Sequence, residues 1–226
     1  MPYPITNLAY GLRCRLSELS TPVERYNLQI AAGNTSTCPP KLQIVQETLE
    51  SLIFGCKNGT ISAYRNFDNY LNKELSIVCQ DDSITICNDS VSFYRFDVQS
   101  LNSDILDHFL FNAGSLKLMH CHLSKPFYET LKMRFLKVQY LEMYGYTEDY
   151  RIDFTNLLTM FPYLQSLDAK GPLSENWISE ILQVKNHSLM SLTTLKKKNL
   201  SQLCVLLFGA TDAFDFVQHN HSLQNV

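Results

Sequence analysis

The chain has 226 residues, of which 45% are hydrophobic, 12% aromatic and 18% charged. That profile supports a sizeable core and excludes an intrinsically disordered chain. Nineteen Lys and Arg against 22 Asp and Glu leave a net charge of −3, with no global basic bias toward nucleic acid.

Met1-Pro2-Tyr3-Pro4 opens the chain without a basic region followed by a long apolar run, and no stretch of about 20 apolar residues occurs. The expected location is cytoplasmic or nuclear, with no membrane association. Seven cysteines lie scattered, with no Cys-x-x-Cys pair, and predict reduced, buried thiols. Residues 1–36 read as a self-contained helical segment. Thr6 or Asn7 offers a cap for a helix over 8–19. Thr21 caps a second, with Pro22 at its first position, Glu24 at its third, and Gly33-Asn34 as the stop. Residues 37–58 read as a linker, Cys38-Pro39-Pro40, and an amphipathic helix over 42–54 broken by Gly55 and Gly59.

Residues 59–98 change character. Segments 60–64, 75–79, 83–87 and 91–96 are rich in β-branched and aromatic residues, and Asp81-Asp82 and Asn88-Asp89 read as turns between them. They predict a small antiparallel meander. Residues 59–226 as a whole read as this meander followed by strand–helix units.

The units carry a period. Val91, Leu116, Leu141, Leu167, Leu192 and Val217 are separated by steps of 25, 25, 26, 25 and 25. Around each lies an apolar-x-x-apolar-x-apolar template, seen best in Val138-x-x-Leu141-x-Met143 and Leu164-x-x-Leu167-x-Ala169. Fifteen of the 18 template positions are apolar, the exceptions being Asn88, Thr194 and His219; chance at this composition gives about 8. Helix-like stretches over 104–111, 126–135, 154–161, 175–184 and 200–208 alternate with the cores. One short strand plus one helix per 20–29 residues is the leucine-rich-repeat plan, here without its usual Asn or Cys. The fold class expected is α/β: an N-terminal helical segment, a β meander and a leucine-rich-repeat-like solenoid with a parallel sheet. The competing reading is an ordinary α/β domain with evenly sized βα units.

In such a strand the template residues point inward and their neighbours outward. The outward set is Lys117, Met119, Tyr140, Glu142, Tyr144, Ser166, Asp168, Lys170, Ser191 and Thr193. These are the expected client-binding residues, with Tyr140 and Tyr144 as accessible anchors.

Catalytic and metal signatures are missing from the sequence. His120-Cys121-His122 is the densest ligand-type cluster; in a strand, His120 and His122 would share one face, and two imidazoles make a weak zinc site. There is no phosphate loop, Gly-x-Ser-x-Gly or His-Glu-x-x-His. The expectation is a non-enzymatic binding protein without a cofactor.

Leu8, Leu12, Leu16 and Leu19 form a stripe at i, i+4, i+8 and i+11, followed by Pro22-x-Glu24-x3-Leu28. This arrangement resembles an F-box, and Tyr10-Gly11-Leu12-Arg13-x-Arg15-Leu16-x-Glu18-Leu19 with Pro22-x-Glu24-x-Tyr26 is similar to the divergent F-box-like proteins expanded in nematodes. It departs from the pattern in Ala9, where Pro is usual, and in lacking the closing Trp. The resemblance implies that Leu8, Leu12, Leu16, Leu19, Pro22, Glu24 and Leu28 dock the Skp-type adaptor of an SCF-type cullin–RING ubiquitin ligase. The repeats would then hold a client protein. The alternative is a binding or scaffold subunit outside any ligase, whose N-terminal helices only cap the fold or hold another partner. Leu200-x3-Cys204-x3-Phe208 also fits an elongin C box, or simply an apolar repeat helix.

Overall fold

The computed structural model describes residues 7–33, 42–65, 76–79, 83–145, 151–170 and 173–194, with the backbone alone of 195 and 202–206. It is a mixed α/β structure: two N-terminal helices, then a mostly parallel sheet with helices between its later strands.

Helix α1 spans Tyr10–Leu19 and α2 spans Pro22–Ala32. The start of α2 follows the sequence closely. Thr21 Oγ1 accepts from Glu24 N while the Glu24 carboxylate accepts from Thr21 N at 2.8 Å, a complete capping box. Gly33 ends the helix at φ +67°, a left-handed conformation that suits a residue without Cβ. The start of α1 differs from expectation. Ala9 stands at the N-cap with no side-chain cap bond, so Asn7 does not fill that role; Thr6 lies outside the described residues.

The helix expected over 42–54 is instead part of β1, Ile44–Lys57. Ile44, Val45, Thr48, Ile53 and Phe54 favour the pleated conformation, and Asn58-Gly59, at φ 51° and 77°, forms a tight hairpin to β2, Thr60–Tyr64. Of the antiparallel pairings expected among 60–64, 75–79, 83–87 and 91–96, the described residues keep only a single bridge between the first two, and β2 instead pairs antiparallel with β1. β3, Ser83–Tyr94, runs parallel to β1 and is continuous through Asn88-Asp89. The pairing passes from Leu49↔Cys87 to Ser51↔Ser90, so residues 88 and 89 oppose Glu50 alone. The turn-favouring pair is absorbed as a bulge. Of segment 75–79, the described part contributes only an isolated bridge from Ser76 to Tyr64.

Helix α3, Val98–Leu101, follows. Residues 104–111, expected as one helix, divide into a 3₁₀ turn, Asp104–His108, and β4, Phe109–Phe111, which pairs with β3. The alternating aromatics of β4 explain the change: Phe109 is buried, with its ring 4.8 Å from that of Phe54. Then come β5 (Ser115–Met119), α4 (Lys125–Arg134), β6 (Tyr140–Tyr144), α5 (Phe154–Met160), β7 (Ser166–Lys170), α6 (Trp177–Gln183) and β8 (Ser191–Leu195). Strand β9, Gln202–Leu206, closes the described sheet antiparallel to β8, where a helix over 200–208 was expected. The β-branched Val205 within an apolar run suits a strand as well as a helix. Cys204 of the elongin C-type box therefore lies on a strand, while Leu200 and Phe208 lie outside the described residues.

Sheet order is β2-β1-β3-β5-β6-β7-β8-β9, with β4 also on β3. Val91, Leu116, Leu141, Leu167 and Leu192 are successive Cα partners across β3, β5, β6, β7 and β8, all parallel. Val217 lies outside the described residues. A backbone motif recurs with the same spacing. Gln139 and Tyr140 both donate to Gly114 O, Gln165 and Ser166 to Gln139 O, and Met190 and Ser191 to Gln165 O, in each case at 2.8 and 3.0 Å. Two consecutive amides converging on one carbonyl lock the start of each strand to the start of the one before.

The core lies between this sheet and α3 to α6. Leu116, Leu118, Leu141, Met143, Leu167, Ala169 and Leu192 point into it and meet Phe127, Leu131, Phe154, Leu157 and Ile181 from the helices. Phe93, Phe96 and Phe135 pack within it, Phe93 lying with ring centroids 4.8 Å from Phe96 and 6.0 Å from Phe135. Side-chain caps on three helices recur too: Asp97 on Ser100 N, Ser124 on Phe127 N and Asp153 on Asn156 N. Glu180 of α6 ties neighbouring units, accepting from Phe154 N at 3.0 Å and from Ser174 Oγ at 2.6 Å.

Candidate functional site

Two surfaces collect the residues singled out in the sequence. The first is the sheet face opposite the helices. Because side chains alternate along a strand, residues one step from the buried template positions emerge here in registered rows. One row is Ser115, Tyr140, Ser166 and Ser191; the next is Lys117, Glu142, Asp168 and Thr193; the third is Met119, Tyr144 and Lys170.

The charges of the middle row and of Lys170 in the third row hold one another. Lys117 Nζ lies 2.7 Å from Glu142 Oε2; Lys170 Nζ lies 3.5 Å from Glu142 Oε1 and 3.7 Å from Asp168 Oδ2. Two ammonium groups and two carboxylates therefore compensate one another, which gives specificity and register more than raw affinity. The hydrogen bond to Glu142 holds the Lys117 ammonium above its ordinary range. Both lysines also approach the Tyr144 ring, at 6.0 and 5.3 Å from its centroid. Burial raises the Tyr144 phenol above its ordinary value, against the opposing pull of the two cations.

Nine of the ten expected client residues reach this face at least partly accessible. Tyr140 is 51% exposed and Tyr144 half-buried. Met119 is the exception, at 4% exposure. Register seats it between Tyr94 and Tyr144, two large neighbours on the flanking strands, so parity alone misplaces it among accessible residues.

His120-Cys121-His122 does not continue the strand. β5 ends at Met119, and His120 adopts φ 54°. Arg95 (φ 58°) and Gly145 (φ 70°) hold the same place after β3 and β6. His120 lies edge-on to Tyr94, with Nδ1 3.1 Å from Gly145 O, while Cys121 is buried and His122 exposed. The two imidazoles therefore do not share a strand face. No three His, Cys, Asp or Glu residues are grouped as a metal site among the described residues.

The second surface is α1. Its packed side carries Ser17, the helix's buried residue, with Arg13 and Cys14 half-buried. Its apolar residues turn outward: Leu12 is 60% exposed and Leu19 70%, with Leu16 and Tyr10 exposed as well. A soluble helix ordinarily points such residues inward. Leu8, Pro22 and Leu28 are half-buried, and Glu24 is exposed but occupied by the capping box. Tyr10 and Ile30, also exposed, were not singled out; the apolar spacing that marks Leu12 and Leu16 does not include them. Helix α2 is tied to the sheet through Gln43. Arg25 Nε donates to Gln43 Oε1 at 2.9 Å, and Gln43 N donates to Gln29 Oε1 at 2.9 Å.

The fold and these surfaces define a mixed α/β protein with N-terminal helices and a mostly parallel sheet. No helix among the described residues is long and apolar enough to cross a membrane. No family model matches the chain, and no curated protein and no solved structure matches it.

Proposed function

We propose that the chain is a non-enzymatic protein–protein adaptor acting in the cytoplasm or nucleus, a substrate receptor of an SCF-type cullin–RING ubiquitin ligase. In this reading the F-box-like helices dock a Skp-type adaptor. The strand–helix units form a degenerate leucine-rich-repeat solenoid whose open sheet face holds a client protein. The observation that carries the reading is the outward stripe of α1, with Leu12, Leu16 and Leu19 exposed while Ser17 is buried. Fully burying a leucine contributes roughly 1.5–3 kcal/mol, so a partner covering this stripe gains a substantial share of its affinity there. The in-register series from Val91 to Leu192 supports the solenoid, and its registered rows of side chains suit a protein client.

The second reading is a binding or scaffold subunit outside any ligase, and the attachment of α2 favours it. Arg25 and Gln29 bind Gln43, and α2 packs on the 3₁₀ turn and β3, as a cap would. The two readings part at α1. Co-purification with a Skp-type adaptor, lost in Leu12→Asp while circular dichroism stays unchanged, supports the receptor. An adaptor that never co-purifies, or a Leu12→Asp variant that unfolds the whole chain, supports the cap.

A further inference from the structure

A third surface lies at the ends of the sheet where the strands begin. The loops leading into β6, β7 and β8 are stitched together at their strand ends by the paired amides on Gly114, Gln139 and Gln165, so they lie side by side along one rim. Large apolar residues stand out on it: Leu136 is 78% exposed, Tyr163 54% and Met190 52%. None of them belongs to the apolar template, and each sits at a loop position where a polar residue would cost nothing. Isolated exposed apolar residues are ordinary; several on one connected rim mark an interaction site.

The charged residues within these three loop segments have one sign. Segments 132–139, 159–165 and 183–190 contain Lys132, Arg134, Lys137 and Lys185 and no Asp or Glu, in a chain whose net charge is −3. Arg134 is tied to Asp107 at 3.1 Å. Lys132, Lys137 and Lys185 are exposed, and none pairs with a carboxylate among the described residues. Lys132 lies in the last turn of α4, where a cation complements the helix dipole. Lys137 and Lys185 lie beyond the helix ends, where that account weakens.

We propose that this rim docks an acidic peptide segment with apolar or aromatic anchors, Leu136, Tyr163 and Met190 contacting the anchors and Lys137 and Lys185 the flanking carboxylates. Charge complementarity sets the sign of the partner, and the protruding Tyr and Met set its apolar content, both being residue types enriched in interface cores. Tyr140 follows Gln139 directly, so the rim runs into the open sheet face and lengthens the surface available to one extended ligand. The inference does not depend on the ligase reading, because α1 plays no part in it.

The test is selection from a displayed random-peptide library on the full chain, followed by titration of the synthesised winners against Leu136→Asp and a Lys137→Glu/Lys185→Glu double variant. Every substituted position is exposed, so both variants are expected to fold. The expected result is enrichment of peptides combining Asp or Glu with Leu, Phe, Tyr or Met. Their affinity should fall at least about tenfold in each variant and weaken as salt rises. Enrichment of neutral or basic peptides, or winners that bind both variants as well as the parent, would overturn the proposal. So would capture of phosphatidylserine-containing vesicles or of polyuridylate, lost in the same variants, in the absence of any enriched acidic peptide.

Discussion

Leu167→Ala probes the packing on which the open sheet face and the loop rim depend. Leu167 is fully buried on β7, with Leu141 and Leu192 as its Cα partners on either side. Truncation removes three carbons, and at about 0.8 kcal/mol per buried methylene the transfer cost alone is about 2.4 kcal/mol. The neighbours are held on both sides by parallel strand bonds and relax little, so a cavity cost adds to this and brings the loss to about 3–5 kcal/mol. Urea denaturation against Leu136→Ala, at the exposed rim, supplies the control, which should change stability by less than about 0.5 kcal/mol. Hydrogen exchange then locates the loss. If the units are coupled mainly to their neighbours, amides of β6, β7 and β8 lose protection before those of β1 and β3. A loss below about 1 kcal/mol, or a uniform drop in protection across the sheet, would show that Leu167 does not hold neighbouring strands together in this way.

Three further outcomes follow from particular contacts. Gly145→Ala should destabilise by roughly 1–2 kcal/mol from the left-handed backbone alone, and by more because the new Cβ meets the His120 ring; adding His120→Ala should recover only the steric part in thermal melts. Glu180→Ala should cost about 1–3 kcal/mol by leaving Phe154 N without its acceptor, with Glu180→Gln milder because an acceptor oxygen remains, as chemical denaturation would read. Burial pushes the Cys87 and Cys121 thiols up to about 11 and about 12, so the folded state favours the neutral thiol. The stability this contributes is whole below the ordinary thiol range and is lost as pH rises through it toward 12; at pH 8 both cysteines should resist alkylation in the native protein and react in urea, as mass mapping would show.

Where residues bury a periodic face, the sequence was readable. The series from Val91 to Leu192, helices α4, α5 and α6, and the Thr21 cap of α2 all depend on side chains whose spacing is visible along the chain. Errors arose where local pattern and tertiary pairing compete. Residues 44–54 present apolar positions compatible with either period, and the Asn58-Gly59 hairpin signal that decides for a strand lay just beyond the segment. Residues 202–206 carry the same ambiguity without such a turn signal. Left-handed Arg95 and His120 were illegible, because neither residue type announces that conformation. Met119 failed for another reason: alternation assigns a face, but the size of Tyr94 and Tyr144 on adjacent strands decides exposure. The rim of Leu136, Tyr163 and Met190 escaped because it lies off the template, in loops that only backbone pairing brings together.

The adaptor reading rests most heavily on α1, and hydrogen exchange of the full chain with and without a purified Skp-type adaptor tests it most directly. New protection concentrated in residues 10–19 is expected on addition of the adaptor, absent in Leu12→Asp, with β5 to β8 unchanged. Unchanged exchange in residues 10–19 at saturating adaptor, or protection confined to the sheet, would contradict it.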